Sequence, residues 1–221
     1  MKLLFAFLLI LFNRCSSIVV EFKEENQCPQ LNEPILINTT PTFGEITICT
    51  KFSLKFLRST GFMQLSSSIS NMSLFEILLI DFSKNYGFVR FYGVFLMFEW
   101  PEHTMKPDIW QQMCATVSNS QIIVVLNGNV ILNEISVSSN LTRKEDKQAN
   151  FWLGGNNENG IHTPCGTSTV TPCNFVGSIS RVYLWSQKLE ISDMIHMTNS
   201  CKLINTTPDL FIWDSFQVSF I

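Results

Sequence analysis

Residues 121–133 read QIIVVLNGNVILN, and this stretch decides the fold class. Two short apolar segments rich in β-branched residues flank the dipeptide Asn127-Gly128. Asparagine and glycine tolerate the positive φ angles of a type I′ turn, and an Asn-Gly pair between two such segments is the strongest short-range signal of a β-hairpin. The stretch therefore predicts two antiparallel strands joined by a two-residue turn.

Other strand patterns of similar length occur along the chain. Residues 74–80 form a nearly continuous apolar segment, and residues 88–92 and 94–98 flank Gly93 in a pattern that predicts a second hairpin. Short strands separated by turn residues are typical of a sandwich of two antiparallel sheets. We therefore predict an all-β fold.

One segment has helical rather than strand periodicity. Within residues 191–198, Ile191, Met194 and Ile195 recur at the i, i+3 and i+4 positions. We predict one short helix there, with these side chains lying against a sheet.

The first residues predict a secretory signal peptide. Lys2 precedes an apolar run over residues 3–12, and small residues follow at plausible cleavage positions. We predict that residues 1–17 are removed, together with Cys15, and that residues 18–221 form a single domain in an extracellular compartment; an uncleaved anchor is the alternative. No later stretch approaches the roughly 20 apolar residues that a transmembrane helix needs, so we predict no transmembrane segment.

Seven cysteines are present, and six remain once Cys15 is set aside. Cys49 and Cys114 each lie in an alternating segment, as a disulfide between two strands requires. Six cysteines allow fifteen pairings, so the sequence alone leaves the connectivity open. A zinc site is disfavoured, because no Cys-x-x-Cys pair exists and a secreted chain meets an oxidising environment.

The composition excludes one class of partner. The chain has 15 basic and 18 acidic residues, a net charge of −3, and loss of Lys2 and Arg14 with the leader makes it more negative. A broad basic surface for nucleic acid is therefore not expected.

Short motifs follow one another in a fixed order over nearly the whole mature chain. They are Glu76-Ile77-Leu78, Ser83-Lys84-x-x-Gly87-Phe88, Phe98-Glu99-x-Pro101-Glu102, Leu153-Gly154, Val176-Gly177-Ser178-Ile179, Leu184-Trp185 and Leu189, together with the two strand cysteines. In this order they resemble the pentraxin family, of which the chain would be a divergent member. The resemblance implies a two-sheet jelly roll of the concanavalin A and laminin G type, with one helix on a face.

The resemblance also implies a calcium site, and this sequence lacks part of it. Where pentraxins have an Asp-Asn pair before the Glu-Ile-Leu strand, this chain has Leu74-Phe75. Calcium takes six to eight oxygen ligands, several of them carboxylates. The remaining weak candidates are Asn156, Asn157, Glu158 and Asn159. We predict that the calcium site is largely lost and that no cofactor is bound; the alternative is that these four residues still hold an ion with help from elsewhere.

We predict two further disulfides, Cys165 with Cys173 and Cys28 with Cys201. The loop after Leu153-Gly154 is longer than the resemblance leads us to expect, and it contains Cys165 and Cys173, whose bridge would contribute about 2.5 kcal/mol in the chain-entropy model. Cys28 and Cys201 lie near the two ends of the mature chain, where the first and last strands of a jelly roll commonly meet.

Four Asn-x-Ser/Thr sequons predict surface positions for glycans, which would make the chain a glycoprotein. They begin at Asn38, Asn71, Asn140 and Asn205. A glycan on Asn71 would crowd the face where the family holds calcium.

An enzyme is the rival functional class, since glycoside hydrolases can use the same architecture with paired carboxylates. Glu99 and Glu102 are the tempting pair, but their spacing places them on opposite faces of a strand, which Pro101 interrupts. The histidines, at positions 103, 162 and 196, have no nucleophile at a recognisable spacing. We therefore predict no enzymatic activity.

A binding module is the preferred interpretation. We predict a secreted, lectin-like recognition protein whose partner is an extracellular glycan, a phosphorylated headgroup or a protein surface. The resemblance further implies a role in innate immunity and a homo-oligomer. The alternative is an adhesion-receptor-type pentraxin or laminin G module that binds protein.

Overall fold

The described part of the chain forms two packed β-sheets, with one helix against the outer face of one of them. The computed structural model describes residues 19–22, 35–38, 45–57, 60–68, 73–81, 85–91, 94–118, 120–135, 148–154, 173–200 and 204–212. The strands are β1 (Val19–Phe22), β2 (Ile35–Asn38), β3 (Glu45–Leu54), β4 (Thr60–Ser67), β5 (Ser73–Asp81), β6 (Tyr86–Phe91), β7 (Val94–Glu99), β8 (Trp110–Ser118), β9 (Gln121–Leu126), β10 (Asn129–Ile135), β11 (Gln148–Leu153), β12 (Cys173–Asn174), β13 (Gly177–Trp185) and β14 (Phe211–Ile212), and the helix is α1 (Ile191–Asn199).

The strands divide into two sheets. Sheet A has the spatial order β1-β13-β3-β8-β9-β10, with β14 also paired to β13, and sheet B has the order β2-β11-β4-β5-β6-β7, with β12 paired to β4. The described pairings are antiparallel except that of β12 with β4. The predicted all-β jelly-roll sandwich with one short helix is confirmed.

The Asn-Gly hairpin forms as predicted, with β9 and β10 paired antiparallel. Asn127 and Gly128 have φ angles of 48° and 80°, which the two turn positions require. The turn is also tied to its surroundings: the Asn127 side chain accepts a hydrogen bond from the Gln112 backbone N–H at 2.8 Å, and the Gly128 N–H donates to the Thr198 hydroxyl at 3.0 Å. The turn therefore connects strand β8 to the helix.

The second predicted hairpin is confirmed by the antiparallel pairing of β6 and β7. The apolar segment at residues 74–80 forms β5, which lies beside β6 in sheet B. The predicted helix is likewise present, one residue longer than expected, as α1.

The main hydrophobic core lies between the two sheets and is rich in aromatic side chains. Phe52 of sheet A and Phe62 of sheet B meet with ring centroids 4.5 Å apart, and Phe175 adds a third ring at 5.4 Å from Phe62. All three side chains are fully buried. Burial of apolar area is the dominant favourable term in folding, so these tilted ring contacts hold the two sheets against each other.

A second apolar cluster covers the outer face of sheet A. Helix α1 contributes Met194 and Met197, which pack with Tyr183, Trp185 and Leu189. Ile191 and Ile195, predicted to face the sheet, pack at the edge of this cluster. Because the helix covers one face of sheet A and the core the other, β3 and β8 are buried on both faces and the expected inside–outside alternation is lost.

Cys49 and Cys114 form a disulfide within this second cluster. They lie directly opposite each other on the neighbouring strands β3 and β8, with Cα atoms 4.1 Å apart. Cys28, Cys165 and Cys201 lie outside the described residues, and Cys173 is described in its backbone alone. The two other disulfides therefore stay predictions.

The signal peptide and the extent of the mature domain also stay predictions, because residues 1–18 lie outside the described ranges. Within those ranges, no helix combines the length and hydropathy needed to cross a membrane.

Candidate functional site

The described half of the implied calcium site does not fit a calcium ion. Leu74 and Phe75 lie on β5 with 5% and 2% of their surface exposed, and both belong to the main core. Neither side chain offers an oxygen, and calcium binds through oxygen ligands. The four loop candidates, residues 156–159, lie outside the described residues. Among the residues that the structure describes, no three histidine, cysteine or acidic side chains form a group that could hold a metal ion.

The predicted glycan acceptors are described only in part. Asn205 is exposed, as a glycosylated position must be, and Asn38 ends strand β2. Asn71 and Asn140 lie outside the described residues. Use of the four sequons stays a prediction.

The carboxylates considered for hydrolysis are exposed rather than enclosed. Glu99 ends β7, the last strand in the described order of sheet B, and Glu102 lies in the turn that follows it. His103 and His196 are also exposed, on the same turn and on α1 respectively. Both carboxylates are open to solvent, whereas the paired carboxylates of a glycoside hydrolase flank the bond that is cleaved.

The outer face of strands β6 and β7, on the side of sheet B away from the core, carries six large side chains that we call the aromatic strip. Its members are Tyr86, Phe88 and Arg90 on β6 and Phe95, Met97 and Glu99 on β7. They alternate with the core residues of each hairpin strand, so the strip follows directly from the period of two in a β-strand. Three cross-strand pairs result: Tyr86 with Glu99, Phe88 with Met97 and Arg90 with Phe95.

Much of the aromatic strip is open to solvent. Phe95 and Met97 are 52% and 50% exposed. Tyr86 and Phe88 are half-buried and meet edge to face, with ring centroids 5.6 Å apart. Exposed apolar groups that lie together, next to polar ones, mark interaction sites on proteins.

Arg90 is held in the middle of the strip from two sides. Its guanidinium lies 3.5 Å from the carboxylate of Glu76, which is fully buried on the neighbouring strand β5, and 4.9 Å from the centre of the Phe95 ring. A buried carboxylate needs such a partner to offset its desolvation. The ion pair therefore fixes a cationic donor beside an exposed ring.

The aromatic strip was not predicted from the sequence, where Glu99 was considered only as a candidate catalytic residue. Both alternating sets of residues 94–99 are nevertheless largely apolar. A strand with apolar residues in both sets must bury both faces or expose one of them. This signal could have identified the strip without a structure.

No model of a protein family and no curated protein matches the chain. Solved structures do match its fold. A native heptameric SAP-like pentraxin from Limulus polyphemus superposes with a TM-score of 0.66 at 12% sequence identity, over 89% of this chain and 88% of that one. The full extracellular region of zebrafish Gpr126/Adgrg6 gives a TM-score of 0.57 at 14% identity, over 86% of this chain but 24% of the receptor fragment.

A carbohydrate-binding module is also similar. The CBM40 of the Ruminococcus gnavus IT-sialidase, solved with α2,3-sialyllactose, gives a TM-score of 0.56 at 13% identity. The match covers 83% of this chain and 100% of the CBM40. At sequence identities of 12% to 14%, these structural similarities show that the chain has the jelly-roll fold of these proteins, and they show nothing further. Membership of the pentraxin family stays a hypothesis, since fold does not fix family or function.

Proposed function

We propose that this chain is a secreted, glycosylated recognition module without catalytic activity that binds an extracellular glycan on its aromatic strip, independently of calcium. The observation that carries the proposal is the row of exposed apolar side chains beside the fixed guanidinium of Arg90. The jelly-roll fold supports it, because a glycan-bound CBM40 and an SAP-like pentraxin share that fold. The Cys49–Cys114 disulfide supports an extracellular location.

The chemistry of the strip suits a sugar. The face of an aromatic ring carries negative partial charge and attracts the weakly positive C–H groups of a pyranose ring. Phe95 offers such a face with little burial, and Arg90 and Glu99 supply a hydrogen-bond donor and acceptors for hydroxyl groups on either side. Stacking and hydrogen bonding thus come from one surface.

A protein ligand is the second candidate function. Met97 is half exposed next to Phe95 on a strand at the end of the described sheet order, and methionine adapts to varied protein surfaces. The fold shared with part of an adhesion-receptor extracellular region supports this candidate. Assembly into a homo-oligomer and a role in innate immunity stay predictions from the pentraxin resemblance.

Replacing Phe95 with alanine should weaken glycan binding about tenfold, because the lost ring contact contributes about 1.5 kcal/mol. Binding would be measured on a glycan array and then by titration calorimetry with the best glycan, in calcium and in chelator. We expect the wild-type affinity to be the same in both buffers.

Phe56→Ala is the matched control, since Phe56 is an equally large ring, 46% exposed, in the segment that follows strand β3 of sheet A. Its affinity for the glycan should equal that of the wild type. Binding that requires calcium, or that survives Phe95→Ala, would contradict the proposed site. Absence of binding to any glycan, with capture of a protein ligand that Phe95→Ala abolishes, would favour the adhesion function instead.

A further inference from the structure

A cleft opens on the outer face of sheet A, on the opposite side of the sandwich from the aromatic strip. It is a half-open cleft of about 320 Å³, a volume that includes space open to solvent. The Cys49–Cys114 disulfide lies in its lining, and Thr198 contributes from the end of helix α1. Two cationic side chains, Lys51 of β3 and Arg181 of β13, line the same cleft, which we call the cation cleft.

Arg181 reaches the cation cleft through an irregularity in strand β13. The pairing of β13 with β3 shifts between Ser180 and Val182, so that Arg181 is the extra residue of a β-bulge beside Lys51. Its φ angle is 59°, in the left-handed region that non-glycine residues enter at a cost. Bulges of this kind redirect a side chain and often occur next to functional sites.

The bulge places like charges together. Burial, and next the neighbouring Arg181 guanidinium, lower the pKa of the Lys51 ammonium group. The Trp110 ring lies 5.3 Å from Lys51 Nζ and gives it a cation–π contact. Within the described ranges, Lys51 forms no ion pair with an acidic side chain. A strained backbone and a charge repulsion thus occur at one point, and neither favours the fold.

We propose that the cation cleft is an anion-binding site that takes a compact oxyanion, the carboxylate, sulfate or phosphate group of an extracellular ligand, between Lys51 and Arg181. A bound oxyanion accepts hydrogen bonds from both cations and removes their repulsion. The planar guanidinium suits two oxygens of one group, and the Gln112 amide, which also lines the cleft, adds a neutral donor. The site is separate from the proposed glycan surface, so the two can be tested independently.

The test is titration of the whole protein with sodium sulfate, sodium phosphate and sodium glucuronate, each against sodium chloride at equal ionic strength. Binding is followed by calorimetry and by the NMR signal of the Lys51 ammonium group. We expect at least one oxyanion to bind and to raise the pKa of Lys51. The three salts distinguish the possible ligand groups. Binding of glucuronate indicates a carboxylate ligand, and binding of sulfate or phosphate indicates a tetrahedral oxyanion.

Two variants locate the site. Lys51→Gln and Arg181→Asn should each raise the dissociation constant at least tenfold, asparagine being chosen because it tolerates the left-handed backbone. Lys55→Gln removes the same charge from an exposed lysine that is paired with Asp108, and should change affinity less than twofold. An equal loss in Lys55→Gln would overturn the proposal. So would a wild-type Lys51 signal that no oxyanion shifts, a result that does not depend on whether a variant folds.

Discussion

Replacing both Cys49 and Cys114 with alanine should lower the free energy of unfolding by about 4 kcal/mol, the loop-closure entropy that the chain-entropy model assigns to a bridge of this span. The two residues are separated by 65 positions in sequence, so their bond restricts a large part of the unfolded chain. In a domain of this size, such a loss should lower the melting temperature by roughly 12 °C. Equilibrium unfolding in urea under non-reducing conditions measures the change.

The cross-link has a second signature that a simple packing defect lacks. Without the bridge the unfolded state expands, so the dependence of the unfolding free energy on urea concentration should become steeper. Met113→Ala is the control, because Met113 is a buried neighbour of Cys114 without a covalent bond. It should lower stability and leave the urea dependence unchanged. If the double variant lost less than about 1 kcal/mol of unfolding free energy and kept the same urea dependence, the bridge would restrict the unfolded chain very little.

The sequence predicted the parts of the fold that depend on local chemistry. Asn127-Gly128 requires no tertiary information, because the two residues tolerate positive φ angles wherever they occur. The helix at residues 191–199 was found for a similar reason, its apolar spacing being an internal property of one segment. That Leu74 and Phe75 offer no oxygen ligand to calcium likewise follows from side-chain chemistry alone.

The features missed depend on which faces other segments cover. Strand β3 looked half-buried in sequence, yet it is covered on both sides because α1 packs over the Cys49 face. Conversely, Phe95 was predicted only to lie in a strand, and its ring is half exposed because no described segment covers the outer face of β7. The bulge at Arg181 was not predictable either, since it depends on the register between two distant strands and not on arginine itself.

Gly177→Ala should lower stability by on the order of 3 kcal/mol, through backbone strain and overpacking together. Gly177 begins β13 with a φ angle of 152°, a conformation that residues with a side chain rarely adopt. A β-carbon there would clash with the Ser53 carbonyl oxygen and lie 3.1 Å from the Leu54 Cα atom. These are backbone atoms of β3, the strand paired with β13, so they can move only if the pairing opens.

Gly128→Ala provides the comparison, because its obstruction is of a different kind. Gly128 also has a positive φ angle, 80°, but the atoms that an added β-carbon would meet belong to the Asn199 side chain. That side chain can rotate away, which leaves mainly the left-handed backbone cost of about 1 kcal/mol. Urea unfolding of both variants should therefore rank Gly177→Ala as the more damaging. Equal losses would mean that the strands at Gly177 separate easily, and that close backbone packing does not require a glycine there.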